Sequence, residues 1–198
     1  LYYGSNSGLD VGSEVKISGS SLGPVGYFGY AVAGAGDING DGYDDVVIGA
    51  YRDGVAYAGK AYVYYGSSSG IDLSSEEVLS ASDSDSYDYF GASVAGAGDL
   101  DGDGYDDLII GAYVDEEGGL YAGAAYVYYG SSVGVDASRE TKLIASDSST
   151  GQYFGTDVAA AGDVDGDGYD DVIVGAPYDN ELSTGAGASY VYFGSSDG

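Results

Sequence analysis

The sequence predicts an all-β chain made of β-propeller blades of four antiparallel strands, in three repeat units. Three observations carry that reading. A nine-residue stretch rich in Asp and Gly occurs as Asp37–Asp45, Asp99–Asp107 and Asp163–Asp171. Each copy runs into a short apolar segment, Val46-Val47-Ile48, Leu108-Ile109-Ile110 or Val172-Ile173-Val174, that ends in Gly-Ala. Runs that short, rich in β-branched residues and bounded by glycine, read as buried strands. Finally, Phe28, Phe90 and Phe154, each followed by glycine, mark a unit of about 60 residues, a period that belongs with solenoids and propellers.

Each unit repeats four strands in one order. The first is built of small residues, in Ala31–Gly36, Ala92–Gly98 and Val158–Gly162, which suits a crowded place near a central axis. The second is the apolar run. A variable loop follows (Arg52–Gly59, Val114–Gly123, Tyr178–Gly187), then a Tyr/Val strand of high β propensity in Val63–Ser67, Val127–Ser131 and Val191–Ser195. Leu1–Ser5 is one more copy of this third strand. The fourth strand alternates polar and apolar residues, as a half-exposed strand does: Glu14–Ser18, Glu77–Ala81 and Thr141–Ala145. The expected organisation is a partial blade of outer strands over 1–20, repeat 1 over 21–82, repeat 2 over 83–147 and an incomplete repeat 3 over 148–198. Four-stranded sheets repeated radially make a propeller; an open stack of the same sheets is the alternative.

The Asp/Gly stretch has the donor pattern of a calcium loop. Oxygen side chains alternate with glycines, which let the chain wrap closely enough for six to eight oxygens to converge. The first, third, fifth and ninth positions are the expected side-chain ligands: Asp37, Asn39, Asp41 and Asp45; Asp99, Asp101, Asp103 and Asp107; Asp163, Asp165, Asp167 and Asp171. The seventh residues, Tyr43, Tyr105 and Tyr169, are expected to give a backbone carbonyl. An EF-hand would need Glu at the twelfth position, where Ile48, Ile110 and Val174 stand instead. Three Ca2+ sites are therefore expected, the first the weakest because Asn39 replaces an acid. The eighth-position acids Asp44, Asp106 and Asp170 are expected to point outward.

Composition narrows the function. Among 198 residues, 33 are Asp or Glu and 5 are Lys or Arg, a net charge of -28. That repels nucleic acid and anionic membrane surfaces. Cys and His are absent, which leaves no thiol or imidazole for catalysis. Lys16, Arg52, Lys60, Arg139 and Lys142 form no repeated constellation, and the recurrent acids are better explained as metal ligands. No run is long enough to span a membrane. The lack of a signal peptide and of any Met is expected of a mature product, a fragment or an excised repeat block. Calcium loops favour an extracellular or cell-surface address.

The Phe-Gly pair, the Asp-rich loop and the Gly-Ala-Pro element resemble the FG-GAP repeat of integrin α-subunit propellers and related bacterial and archaeal surface proteins. Phe154-Gly155 with Gly175-Ala176-Pro177 matches in full, while Tyr51 and Tyr113 replace the proline in the first two units. The resemblance implies calcium loops joining the innermost strand of a blade to the second, on the face away from the ligand site. It also implies an adhesion or recognition role. A carbohydrate-binding propeller is the other expectation, with Tyr57, Tyr113, Tyr121 and Tyr178 stacking on sugars; packing between blades is the simpler use of those rings. Open blade edges at both ends are expected to meet other copies of the chain or further repeats.

Overall fold

A computed structural model describes residues 1–6, 8–19, 26–180 and 185–198. The expected start of repeat 1 and part of the third variable loop lie outside the described residues. Among the described residues the strands form four antiparallel sheets. β1 (Tyr3–Ser5) and β2 (Gly8–Asp10) form a short hairpin. Blade 1 is β3 (Ala31–Gly36), β4 (Asp45–Ala50), β5 (Lys60–Tyr64) and β6 (Glu77–Leu79), in that order across the sheet. Blade 2 is β7 (Ser93–Gly98), β8 (Asp107–Ala112), β9 (Ala124–Tyr129) and β10 (Asp136–Leu143). Blade 3 has β11 (Asp157–Gly162), β12 (Asp171–Ala176) and β13 (Ala188–Tyr192).

The small-residue strands are innermost. β3, β7 and β11 each stand at one edge of their sheet, and β7 packs against both of the others. Glycine permits the approach: an added Cβ at Gly96 would lie 2.9 Å from the Gly34 carbonyl oxygen. Each inner strand ends in a register shift, between Gly34 and Gly36, Gly96 and Gly98, or Ala160 and Gly162. Such bulges bend the strand into the Asp-rich loop.

The core lies between blades. Strand side chains alternate in direction, so one blade feeds two seams. Leu108 and Ile110 of β8 face back onto Val47 and Val63 of blade 1, with Phe90, Val94 and Tyr126. Ile109 faces forward, with Val127, onto Phe154, Val158, Val172 and Val174 of blade 3. Phe90 and Phe154 anchor each seam, their N–H groups donating to Ala58 O and Ala122 O of the preceding blade. The Gly-Ala glycines complete it: an added Cβ at Gly49 would overlap the carbonyl oxygen of Gly91, and one at Gly111 that of Gly155. Phe-Gly and Gly-Ala are thus the two halves of a blade seam.

One expected strand is corrected. Glu14–Ser18 forms no sheet ladder; it is tied to the N-terminal residues at Val15, whose N–H donates to Leu1 O while the Leu1 amine donates to Val15 O, and at Glu14, whose Oε2 accepts from Tyr2 Oη at 3.0 Å. The short β1 pairs with β2 instead. The fourth strand of blade 2 also begins earlier than expected, at Asp136, with a register shift before Glu140.

Candidate metal centres

Each Asp-rich loop bridges an inner strand and the second strand of its blade. Its turns are held by its own carboxylates. In the second loop, Asp99 Oδ1 accepts from Gly102 N at 2.7 Å and Asp103 N at 3.1 Å, and Oδ2 from Gly104 N at 3.0 Å. Asp101 Oδ1 accepts from Asp103 N, and Asp103 Oδ1 from Tyr105 N, both at 3.1 Å. The third loop repeats these bonds from Asp163, Asp165 and Asp167, ending on Tyr169 N. In the first loop Asp37, Asn39 and Asp41 hold Asp41 N, Gly42 N and Tyr43 N. Aspartate and asparagine suit this work because their short side chains cap backbone N–H groups two residues on.

The ninth-position acids are the buried anchors. Asp45 Oδ2 accepts from Ile38 N at 2.9 Å and its Oδ1 from Gly66 N at 2.7 Å, which ties the loop to the end of the third strand. Asp107 does the same with Leu100 and Gly130, and Asp171 with Val164 and Gly194. Burial pushes the Asp45 carboxyl up to about 6, with the charges of Asp41 and Asp37 adding to it. Burial likewise pushes Asp107 up to about 7, with Asp101 and Asp103 adding. Carboxylates held this way favour a nearby cation.

The donor set fits a hard divalent cation. Oxygens of Asp99, Asp101 and Asp107 lie within 4.8 Å of one another, as do those of Asp163, Asp165 and Asp171. The fifth-position acids Asp103 and Asp167 are not part of those triads. In the first loop the third position is Asn39, an amide rather than an acid. The second loop holds a cation of its own: Arg139 Nη2 pairs with Asp101 Oδ2 at 2.8 Å. The loop spacing alone gave no sign of Arg139, because it arrives from the register shift of β10.

The eighth-position acids have a role that the sequence reading missed. Asp106 Oδ2 accepts from Asp37 N of the preceding loop, and Asp170 Oδ2 accepts from Asp99 N at 3.0 Å. The seventh-position tyrosines also cross the seam. An added Cβ on Gly40 would come within 2.6 Å of the Tyr105 ring, and one on Gly102 within the same distance of Tyr169. The first and second loops are therefore each braced by the loop that follows.

A tyrosine cluster lies at the opposite end of the inner hairpins, about 20 Å away along six-residue strands. Tyr89 packs with Tyr51, Tyr87 and Tyr113, and Tyr153 with Tyr113, Tyr121 and Tyr178, at centroid distances of 5.3–6.5 Å. Tyr57 packs on Tyr87. Arg52 Cζ sits 5.2 Å from the ring centres of both Tyr27 and Tyr51. Tyr27, Tyr89 and Tyr153, each preceding a Phe-Gly pair, have φ between 54° and 59°, a left-handed backbone that side chains rarely adopt.

The model of the FG-GAP repeat matches residues 28–64, 90–128 and 154–192. Integrin alpha-5 of Xenopus laevis is 37% identical over 179 residues, which is 86% of this chain and 16% of the relative. Integrin alpha-4 of Xenopus laevis is 39% identical over 81% of this chain and 15% of its own length. Human integrin alpha-7 is 34% identical over 85% of this chain and 14% of its own. The chain thus spans about one sixth of the length of the relatives it matches. With its repeats, its blades and these relatives in agreement, the chain belongs to the FG-GAP repeat family.

Proposed function

We propose that this chain is a calcium-stabilised β-propeller module with a structural or adhesive role at a cell surface or in an extracellular assembly. The observation that carries the reading is the coincidence of ligand cluster and seam. Asp37 and Asp99 are at once expected calcium ligands and the partners of the next blade's Asp106 and Asp170. An ion that fixes the loop also fixes the seam. Calcium enters as a structural ion that offsets crowded carboxylates; no catalytic step is assigned to this chain. The named relatives are integrin alpha chains, which supports adhesion as the role.

Three sites are proposed, one per loop, with Asp37, Asn39, Asp41 and Asp45, and their counterparts in loops two and three, as side-chain ligands. The tyrosine end faces away from the ions and is the proposed face for a protein partner. The open blade edges are proposed to meet other copies of the chain or further repeats. Among the described residues no helix is long and apolar enough to cross a membrane. Calorimetric titration of the metal-free chain tests the reading. Three equivalents of calcium are expected, and absence of saturable binding contradicts it.

A further inference from the structure

We propose that Asn39 is a site of spontaneous deamidation, which turns the one amide in the loop ligand sets into a carboxylate. The sequence has eight steps in which Asn or Asp precedes glycine, at positions 39, 41, 53, 101, 103, 165, 167 and 197. At each of them the glycine nitrogen can attack the preceding side chain, because no Cβ hinders the approach. Only the step from Asn39 to Gly40 offers an amide. A neutral amide carbon is far more open to attack than that of an ionised carboxylate.

The other seven glycine nitrogens are held. Gly42 N donates to Asp37 Oδ2 and Gly54 N to Asp53 Oδ1, both at 2.8 Å. Gly102 N and Gly166 N donate to Asp99 Oδ1 and Asp163 Oδ1 at 2.7 Å. Gly104 N and Gly168 N take the second oxygens of the same acids at 3.0 Å. Gly198 N donates to Ser195 O at 2.8 Å. Gly40 is exposed, and its N–H has no acceptor among the described residues. Asp37 turns its oxygens to Asp41 N and Gly42 N instead.

The amide is also in place. Asn39 Oδ1 accepts from Asp41 N at 2.9 Å, an Asx turn that folds the side chain back over the peptide bond to Gly40. That N–H polarises the amide carbonyl. Asn39 Nδ2 lies 3.4 Å from Asp41 Oδ2, a carboxylate that can pass a proton to the departing nitrogen.

The reaction needs no reagent but water. Gly40 N bonds to Asn39 Cγ, the Cγ–Nδ2 bond breaks, and ammonia leaves with the proton from Gly40 N. The cyclic succinimide then takes up one water. Opening at Cγ gives aspartate; opening at the main-chain carbonyl gives isoaspartate, which carries the chain through Cγ. Aspartate fits the loop unchanged, since Asp101 Oδ1 and Asp165 Oδ1 already accept from Asp103 N and Asp167 N in the same way. The first loop then holds the same four acids as the other two. This gain in ligand charge rests on the calcium reading; the deamidation itself does not.

Peptide mapping by mass spectrometry, on the folded metal-free chain incubated at neutral pH, tests the inference. Position 39 should lose its amide with release of ammonia, ahead of Asn6 and Asn180, which precede Ser7 and Glu181. Asp101→Asn puts an Asn-Gly pair where the glycine nitrogen is held. It should lose the amide at 101 about tenfold more slowly than the natural chain does at 39, the factor that one net hydrogen bond is worth. An amide that stays intact at 39, or equal rates at 39 and 101, overturns the inference. Calcium titration of the purified aspartate form should show tighter binding at the first loop than the fresh chain. A chain that deamidates at 39 but binds no calcium in either form upholds the modification and refutes the calcium reading.

Discussion

The Asp106 carboxylate accepts a hydrogen bond from the backbone N–H of Asp37, 2.7 Å away, across the seam between the first two blades. The two residues are 69 positions apart in the chain. Asp37 begins the first loop and Asp106 is the eighth residue of the second, so the first loop is shaped partly by the second. Asp106→Ala leaves a part-buried N–H without its acceptor. The expected cost is about 1–3 kcal/mol in denaturant unfolding, with weaker calcium binding at the first loop. Asp44→Ala, at the open face, should leave the stability of the dilute monomer nearly unchanged. Equal losses in the two variants would refute the bracing.

The seam glycines give a second paired comparison. A Cβ at Gly111 overlaps the Gly155 carbonyl oxygen, whereas at Gly175 its nearest atom is Asp157 O at 3.7 Å. Neither position needs a left-handed backbone, so the difference isolates packing. Gly111→Ala should cost about 1–3 kcal/mol or more through forced backbone movement, and Gly175→Ala close to nothing in the monomer. Thermal unfolding of both variants checks this.

Charge at the second loop sets its affinity. Arg139 places a guanidinium on Asp101, one of the expected ligands. Arg139→Gln removes that competing charge and should tighten calcium binding at this loop. Asn39→Asp should tighten the first loop, because ligand charge count tunes such sites. Calorimetry of each variant reads the effect; weaker binding in either would contradict the ligand assignment.

The raised carboxyls fix the sign of the pH dependence. Asp45 and Asp107 hold their protons up to about 6 and about 7 in the metal-free fold, against an ordinary value of 3.8. The folded state then binds more protons than the unfolded chain across the window between those values. Their contribution to the metal-free fold therefore weakens as pH rises through it. Calcium competes with those protons, so its stabilising effect should be larger at about pH 7.5 than at about pH 5. A calcium effect that is larger at the lower pH would contradict the role of these two acids.

Much of this was legible in the sequence because it was local. The apolar runs at Val46–Ile48, Leu108–Ile110 and Val172–Val174 announced β4, β8 and β12, and the small-residue runs announced the inner strands. The loop carboxylates that converge are close in sequence. What was missed depends on distance in the chain or on backbone geometry. Asp106 and Asp170 look idle within their own loop and act on another. Arg139 reaches Asp101 only because β10 shifts register. The alternation in Glu14–Ser18 suggested a strand, but a ladder needs a partner, and β1 is committed to β2. The left-handed tyrosines carry no local signal, since that backbone is set by the seam around them.

The central claim is that calcium holds the loops and, through them, the blades. Thermal melting of the chain in millimolar calcium and in excess chelator tests it most directly. An ion at a hundredfold excess over its dissociation constant contributes about 2.7 kcal/mol per site. In a chain of this size each kcal/mol is worth about 2–4 °C. With three loops occupied, the chelator should lower the melting temperature by more than about 10 °C. Superimposable melting curves in calcium and chelator would contradict the claim.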